Sequence, residues 1–276
     1  MFSCSIFIIT QSKYPNISEM SKIRNKLLFI GVIVGTGIFS ISCSSNNGNN
    51  SSEQANTLTK KEIKKGWILL WDGKTFDGWR GIYKKDFPSN GWIIEDGLLI
   101  CLGNEMPDSL KGGDIITDKK YESFEMKCEF KIKDKANSGI KYFVNESLEA
   151  SPGHGLGLEF AILDNNNWPY EKPDYNRTCG SLYDLIRAPD NAKTRPIGEW
   201  NEARIIVDGN HIEHWLNGTK TVEIEKSSKE YYQLLAKSKY ANIKKWGEFN
   251  EGNILLQDEG PRTAFRNIKL RVIKKD

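Results

Sequence analysis

Residues 252–272 read GNILLQDEGPRTAFRNIKLRV. Strict alternation along this stretch places Leu255, Gln257 and Glu259 on one face of a strand and Ile254, Leu256 and Asp258 on the other. A polar pair thus continues a face that begins apolar. A polar side chain taken out of water without a partner costs roughly 1 to 3 kcal/mol, so Gln257 and Glu259 either knit the fold or meet a ligand.

Outward from this strand the same period recurs. Ser123 to Ile132 alternates Phe124, Met126, Cys128, Phe130 and Ile132 against Glu125, Lys127, Glu129 and Lys131, the pattern of a strand with one wet face. Trp92-Ile93-Ile94 and Leu98-Leu99-Ile100 flank Asp96-Gly97 and form a hairpin, and Ala203 to Ile224 reads as a meander turning at Asp208-Gly209 and Asn217-Gly218. Asp72-Gly73 and Asp77-Gly78 add further turns. One helix is expected, from Ser228 to Lys239, where Tyr231, Leu234, Leu235 and Ser238 fall at helical spacing on an insertion at the sandwich edge. The chain is all-β.

Of 276 residues, 1–42 read as an N-terminal extension and export signal: Lys22, Arg24 and Lys26 precede an apolar run, Leu27 to Phe39, and then Cys43. This order is that of a bacterial lipoprotein signal cleaved before Cys43, the lipidated residue, with Met20 as initiator. The run is shorter than the roughly 20 apolar residues of a membrane span. Residues 43–65 are expected as a flexible tether and 66–276 as one domain, lipid-anchored in the cell envelope, periplasmic or surface-exposed. The excess of 39 basic over 36 acidic residues lies wholly in residues 1–42, so the remainder is formally neutral and offers nucleic acid no basic surface. Cys101, Cys128 and Cys179 have no zinc spacing and are expected as small buried groups.

The candidate chemistry centres on two strands. In Gly139 to Ser147, Lys141, Phe143 and Asn145 share a face opposite Ile140, Tyr142 and Val144; in Gly155 to Asn166, Glu159 stands in an apolar run with Ala161 and Leu163, opposite Asp164. Burial would raise the pKa of Glu159 and suit it to acid or base work, or Glu159 pairs with Lys141 or an arginine across the sheet. The long loop from Asp164 to Ser181 carries Trp168 and Tyr170, which could stack on a sugar ring or cap the core. Arg177 and Tyr183 follow, a cation and a phenol able to steady an oxyanion, with Asp164 as an alternative structural partner for Arg177. His154, between glycines, marks a pocket rim, whereas His211 and His214 read as surface residues. No zinc-protease, nucleophile-elbow, phosphate-loop or dinucleotide motif occurs.

The segments WILLWDGKTFDGWRG, NGWIIEDGLLI, GGDIITDKKYESFEMKCEFKI, NSGIKYF, GLEFAILDN, GSLYDLI, PIGEWNEARIIVDGNHIEHWLNG, ILLQDEG and FRNIKLRV, in order from Gly66 to Ile273, resemble the 3-keto-disaccharide hydrolase family. The resemblance implies a concanavalin-like jelly-roll sandwich of two antiparallel sheets with its site on the concave face. It further implies cleavage of 3-keto-glycosides: a C3 ketone acidifies the C2 hydrogen, a base removes it, and the C1 oxygen leaves by elimination before water adds. Such a site needs a base, an enolate stabiliser and an acid.

Carried onto this chain, the resemblance selects Glu159, Asp164, Lys141, Tyr183, Gln257, Asp258 and Arg266. Glu159 and Glu259 are then the acid and base candidates, Lys141 the enolate or hydroxyl contact, and Asp164 and Gln257 orient substrate; Arg266 is structural, paired with Glu159. Three positions depart: Ala161 stands for Gln, Trp168-Pro169-Tyr170 for His-Pro-Asp, and Glu259 for the histidine of L-Q-D-H-G. Glu259 could serve as a base or bind a divalent metal through oxygen. Two readings follow: a hydrolase or lyase with a carboxylate in the histidine's role, or a carbohydrate-binding surface lipoprotein without catalysis.

Overall fold

Antiparallel pairing throughout builds two sheets, in a computed structural model that describes residues 54–148, 150–167 and 176–274. The larger sheet runs, in spatial order, β11 (Thr219–Glu225), β10 (His211–Leu216), β9 (Trp200–Asp208), β6 (Phe124–Ile132), β13 (Thr263–Val272), β4 (Leu98–Cys101) and β3 (Trp92–Glu95), with β1 (Ile68–Leu69) also on β13. The smaller sheet runs β2 (Trp79–Gly81), β5 (Ile115–Tyr121), β12 (Gly252–Leu256), β7 (Asn137–Val144) and β8 (Leu158–Leu163). The chain crosses between the sheets repeatedly, as in a jelly roll, and the hairpins turn where Asp96 (φ 51°) and Gly97 (φ 71°), and Asn217 (φ 50°) and Gly218 (φ 82°), take left-handed backbone.

The core lies between the sheets. Phe124, Met126, Cys128, Phe130 and Ile132 face it from β6, Ile205 and Val207 from β9, and Ile140, Tyr142, Leu158, Phe160, Ile254 and Leu256 from the smaller sheet. Each large apolar side chain withdrawn from water contributes about 1.5–3 kcal/mol, which is why the alternation holds across sheets. The three described cysteines are free and buried, as expected.

The smaller sheet is buried on its other face too. Leu255 meets Ile82, Ile116 and Val144 there, in a second small cluster. This corrects the expected parity of β7, in which Val144 shares a face with Tyr142. Asn253 pairs with Val144 and Leu255 with Lys141, so Tyr142 and Phe143 together oppose Ile254. This is a β-bulge. Phe143 (φ 54°) turns into the core beside Tyr142, their ring centroids 5.6 Å apart, and Val144 passes to the opposite face. Gly252 permits it: a Cβ there would stand 2.4 Å from the Phe143 carbonyl carbon.

The ends of the domain depart from expectation as well. Residues 54–65, expected as the end of a tether, are folded: Asn56 exchanges hydrogen bonds with Asn267 (2.6 and 2.8 Å), and Thr59 and Glu62 form a capping box on α1 (Lys60–Lys64). Cys43 and the export signal lie outside the described residues. The helix expected over 228–239 is α2 (Lys229–Leu235), capped by Ser228, whose Oγ accepts from Tyr231 N. It stops early because Ser238 Oγ donates to Leu235 O and Lys239 N donates to Asp184 Oδ2, drawing the chain out of helical register.

His214 is not a surface residue. It faces inward from β10, fully buried, with Nε2 2.9 Å from Tyr142 Oη and Nδ1 3.3 Å from Ser181 O, and burial pushes its pKa down to about 3. Arg266 does not pair with Glu159. It pairs with its register partner Glu129 (2.6 Å) on the outer face of the larger sheet and lies over the Trp200 ring, whereas Glu159 belongs to the other sheet.

Candidate functional site

The outer face of the smaller sheet opens into a cavity of about 720 Å³. Its floor is a cross-strand pair: Lys141 on β7 stands in register with Glu159 on β8, with Nζ 4.0 Å from Oε2. Lys141 Nζ also donates to Gly155 O at 3.0 Å and lies 3.8 Å from Asp114 Oδ2. Glu159 is 5% exposed, and burial above all, with the charges of Glu259 and Asp114 adding and those of Lys141 and Lys239 opposing, pushes its pKa up to about 7. The sheet thus delivers a carboxyl poised between acid and base at neutral pH.

Asp114, just before β5, is fully buried. It accepts from Asp258 N at 2.9 Å and from Gly155 N at 3.0 Å, and its Oδ1 lies 3.4 Å from His154 Nδ1. Burial opposes its ionisation, but the Lys141 charge and these donors hold it below the ordinary carboxylate range. Asp114 in turn raises the pKa of His154, against burial and the Lys141 charge.

The strand that opens the domain's last segment ends at the pocket. Gln257 N continues the ladder to Gly139 O (3.0 Å), and Gln257 Nε2 donates to Glu259 Oε2 at 2.6 Å, while its buried Oε1 has no hydrogen-bond partner among the described residues. Glu259 is exposed at the mouth. Asp258 is taken up by the frame, accepting from Gly113 N (2.8 Å) and Cys101 Sγ (3.0 Å).

The opposite wall comes from the segment after α2. Lys239 is exposed as a residue, and its ammonium sits 4.6 Å from the Tyr183 ring centroid and 5.0 Å from that of Tyr240. Burial of the ammonium lowers its pKa, with the charges of Arg177 and Lys141 adding and that of Glu159 opposing. Tyr240 stacks on Trp246 with centroids 4.0 Å apart and planes at 7°. Asp184 joins this wall to the 176–187 loop, accepting from Lys239 N (2.6 Å) and from Arg177 Nε (2.7 Å).

Glu159, Glu259, Lys141, Gln257, His154 and Tyr183 therefore meet at one cavity. Asp164 and Arg177 do not line it. Asp164 lies just past the end of β8 and closes a turn, accepting from Lys135 N, Asn166 N and Asn167 Nδ2. Arg177 pairs with Asp184 rather than Asp164, and supports the pocket from behind the Tyr183 ring. Trp168 and Tyr170 lie outside the described residues. Sequence reasoning missed Asp114, Lys239 and Tyr240. A signal existed for the first, since Gly112-Gly113 before an acidic residue marks a close backbone approach: a Cβ at Gly113 would sit 2.8 Å from Gly153 O. For Lys239 and Tyr240 there was none, because only tertiary folding lays their segment over the sheet.

Among the described residues, the His and carboxylate ligand atoms that gather within 4.8 Å belong to His211, Glu213 and Glu223, on the outer face of the larger sheet. Lys220 Nζ already occupies that cluster, 3.0 Å from Glu213 and 2.8 Å from Glu223.

Comparison with known proteins accords with this geometry. The family model described as a 3-keto-alpha-glucoside-1,2-lyase-like domain matches residues 66–271. A 3-keto-disaccharide hydrolase of Bacteroides thetaiotaomicron is 38% identical over 233 residues, covering 75% of this chain and 79% of that protein. A crystal structure from Parabacteroides distasonis, assigned as a glycosyl hydrolase, is similar with a TM-score of 0.70 and 29% identity over 80% of this chain and 100% of that one. A second structure from that organism with the same assignment has a TM-score of 0.53 and 27% identity over 71% and 99%.

Proposed function

The chain belongs to the 3-keto-alpha-glucoside-1,2-lyase-like family, and on that premise we propose that its pocket cleaves 3-keto-glycosides by elimination across C1 and C2. The observation that carries this reading is the Glu159–Lys141 pair: a buried carboxyl with a pKa of about 7 beside a buried ammonium. Half-ionised near neutral pH, Glu159 takes the C2 proton as the C3 carbonyl accepts the electron pair. Lys141, buried on the neighbouring strand, offsets the enolate's charge. Return of the pair expels the C1 oxygen and leaves a C1–C2 double bond; water added across it completes hydrolysis. Gln257 Oε1, buried and unpartnered, is placed to accept from a sugar hydroxyl.

The test is aglycone release from p-nitrophenyl 3-keto-α-glucoside, with and without deuterium at C2, beside the unoxidised glucoside. Wild-type protein should act on the ketone alone with a primary isotope effect, and Glu159→Gln should lose ~10²–10⁴-fold in kcat. Equal turnover of the unoxidised glucoside would exclude the elimination. Sugar binding without turnover would support instead the carbohydrate-binding reading, which rests on Glu259 at the position where the resemblance leads one to expect histidine. The proposal extends to location: Cys43 carries a lipid that holds the domain at the cell envelope. Cys43→Ser should move the protein from the membrane to the soluble fraction.

A further inference from the structure

Elimination of an alkoxide, a poor leaving group, requires a group that hands a proton to the departing oxygen, and Glu259 and His154 both line the cavity. Glu259 is exposed at the mouth and engaged by the Gln257 amide at 2.6 Å. His154 is built in. Its Nδ1 lies 3.4 Å from Asp114 Oδ1, and Asp114, fully buried, is fixed by two backbone donors, Gly155 N and Asp258 N. The loop carrying His154 is fixed by the same residue, since Asp114 N donates to Gly153 O at 2.7 Å. Gly153 takes φ 81° to present that carbonyl. The other ring nitrogen, Nε2, has no partner among the described residues, and the side chain is 38% exposed on the cavity wall. A carboxylate behind one imidazole nitrogen and open space before the other is the arrangement of an oriented proton donor.

We propose that His154 is the catalytic acid that protonates the leaving glycosidic oxygen, with Asp114 as its positioning residue. This rests on the elimination reading above. Glu159 takes the C2 proton; the electron pair forms the C1–C2 double bond as the C1–O bond breaks; Nε2–H gives its proton to that oxygen, leaving a neutral imidazole. In the hydration step Nε2 takes a proton from the water that adds to C1, and Glu159 returns its proton to C2, restoring both groups. The charges that face His154 are Asp114 and Glu259, which favour imidazolium, and Lys141, which opposes it.

The experiment compares leaving groups in the full-length protein. Wild type and His154→Gln are assayed on p-nitrophenyl and methyl 3-keto-α-glucosides, since nitrophenolate departs without an acid and methoxide does not. His154→Gln should lose ~10²–10⁴-fold in kcat on the methyl glycoside but less than about tenfold on the nitrophenyl one. The fall in wild-type activity as pH rises through the imidazole pKa should vanish in the variant. Equal losses on both substrates, or none on either, overturn the acid role. In Asp114→Asn, NMR titration of the His154 ring should move downward, and an unmoved titration overturns the positioning role; should that variant fail to fold, the leaving-group comparison still decides the acid. A wild-type protein that releases neither aglycone overturns elimination and acid together, whereas wild-type turnover with a His154→Gln loss indifferent to aglycone overturns the acid alone.

Discussion

Replacing Glu159 by Gln should stabilise the protein at neutral and alkaline pH while it slows turnover ~10²–10⁴-fold. The carboxyl is 5% exposed, and its pKa rises on folding from an ordinary 4.5 to about 7, by burial first and then by the charges of Glu259 and Asp114, with Lys141 and Lys239 opposing. A group that holds its proton more tightly when folded favours the native state most below about pH 4.5, loses that favour as pH climbs to about 7, and is level beyond. The interval corresponds to ~3 kcal/mol at ~1.4 kcal/mol per pKa unit. Gln has the shape of the protonated acid and never ionises, so the variant escapes the loss. In a domain of about 200 residues the difference is roughly 6–12 °C in Tm at pH 8, vanishing near pH 4.5. Thermal and urea unfolding of both proteins between about pH 4 and pH 8.5 measures it. Parallel stability curves across that range would refute the reasoning, because a carboxyl with the same pKa folded and unfolded leaves no such difference.

Lys141→Met leaves Asp114 and Glu159 buried without their ammonium, and at 4.0 Å the lost attraction to Glu159 is about 4 kcal/mol for an effective dielectric of ~20. Urea unfolding should show a loss of ~3–5 kcal/mol at pH 8 and a smaller one at pH 5, where Glu159 is protonated. Tyr240→Ala removes a pocket wall held by stacking on Trp246, and steady-state kinetics should show KM raised roughly tenfold with kcat changed less than about threefold. Glu125→Gln weakens the carboxylate that accepts from Arg204 Nε and Arg271 Nε at 2.6 Å each. Chemical denaturation should detect ~1–2 kcal/mol, with unchanged turnover, since this cluster lies on the outer face of the larger sheet.

Much of the fold was legible because alternation is a local property. Wherever a strand has one wet face, as in β6 with Phe124 to Ile132 inward and Lys127, Glu129 and Lys131 outward, the period of two survives in the sequence and names the face. The hairpin turns were legible for a similar reason, since Asp96-Gly97 and Asn217-Gly218 are among the few pairs that accept left-handed backbone. A pair of Lys141 with Glu159 was one of the readings the sequence left open, and the register of β7 with β8 sets them side by side.

Parity failed where a partner strand intervened. Phe143 changed faces because Gly252 on β12 allowed a bulge that nothing in Gly139 to Ser147 records. His214 looked like a surface residue because a single polar residue on a strand does not show whether a phenol waits for it across the core, as Tyr142 does. Asp164 and Arg266 followed motif membership rather than position, and both proved to serve turns and outer-face pairs.

By itself the sequence determined an all-β chain and its turns, and left a pair of Glu159 with Lys141 as one of two open readings, because backbone sterics and the inside-outside partition act residue by residue. Only the tertiary structure decided that Asp114 lies behind His154, that Glu259 stands exposed while Glu159 is buried, and that Lys239 and Tyr240 close the cavity. Those juxtapositions depend on segments far apart in the chain, and it is their burial and distances, rather than residue type, that set the acidities on which the proposed chemistry rests.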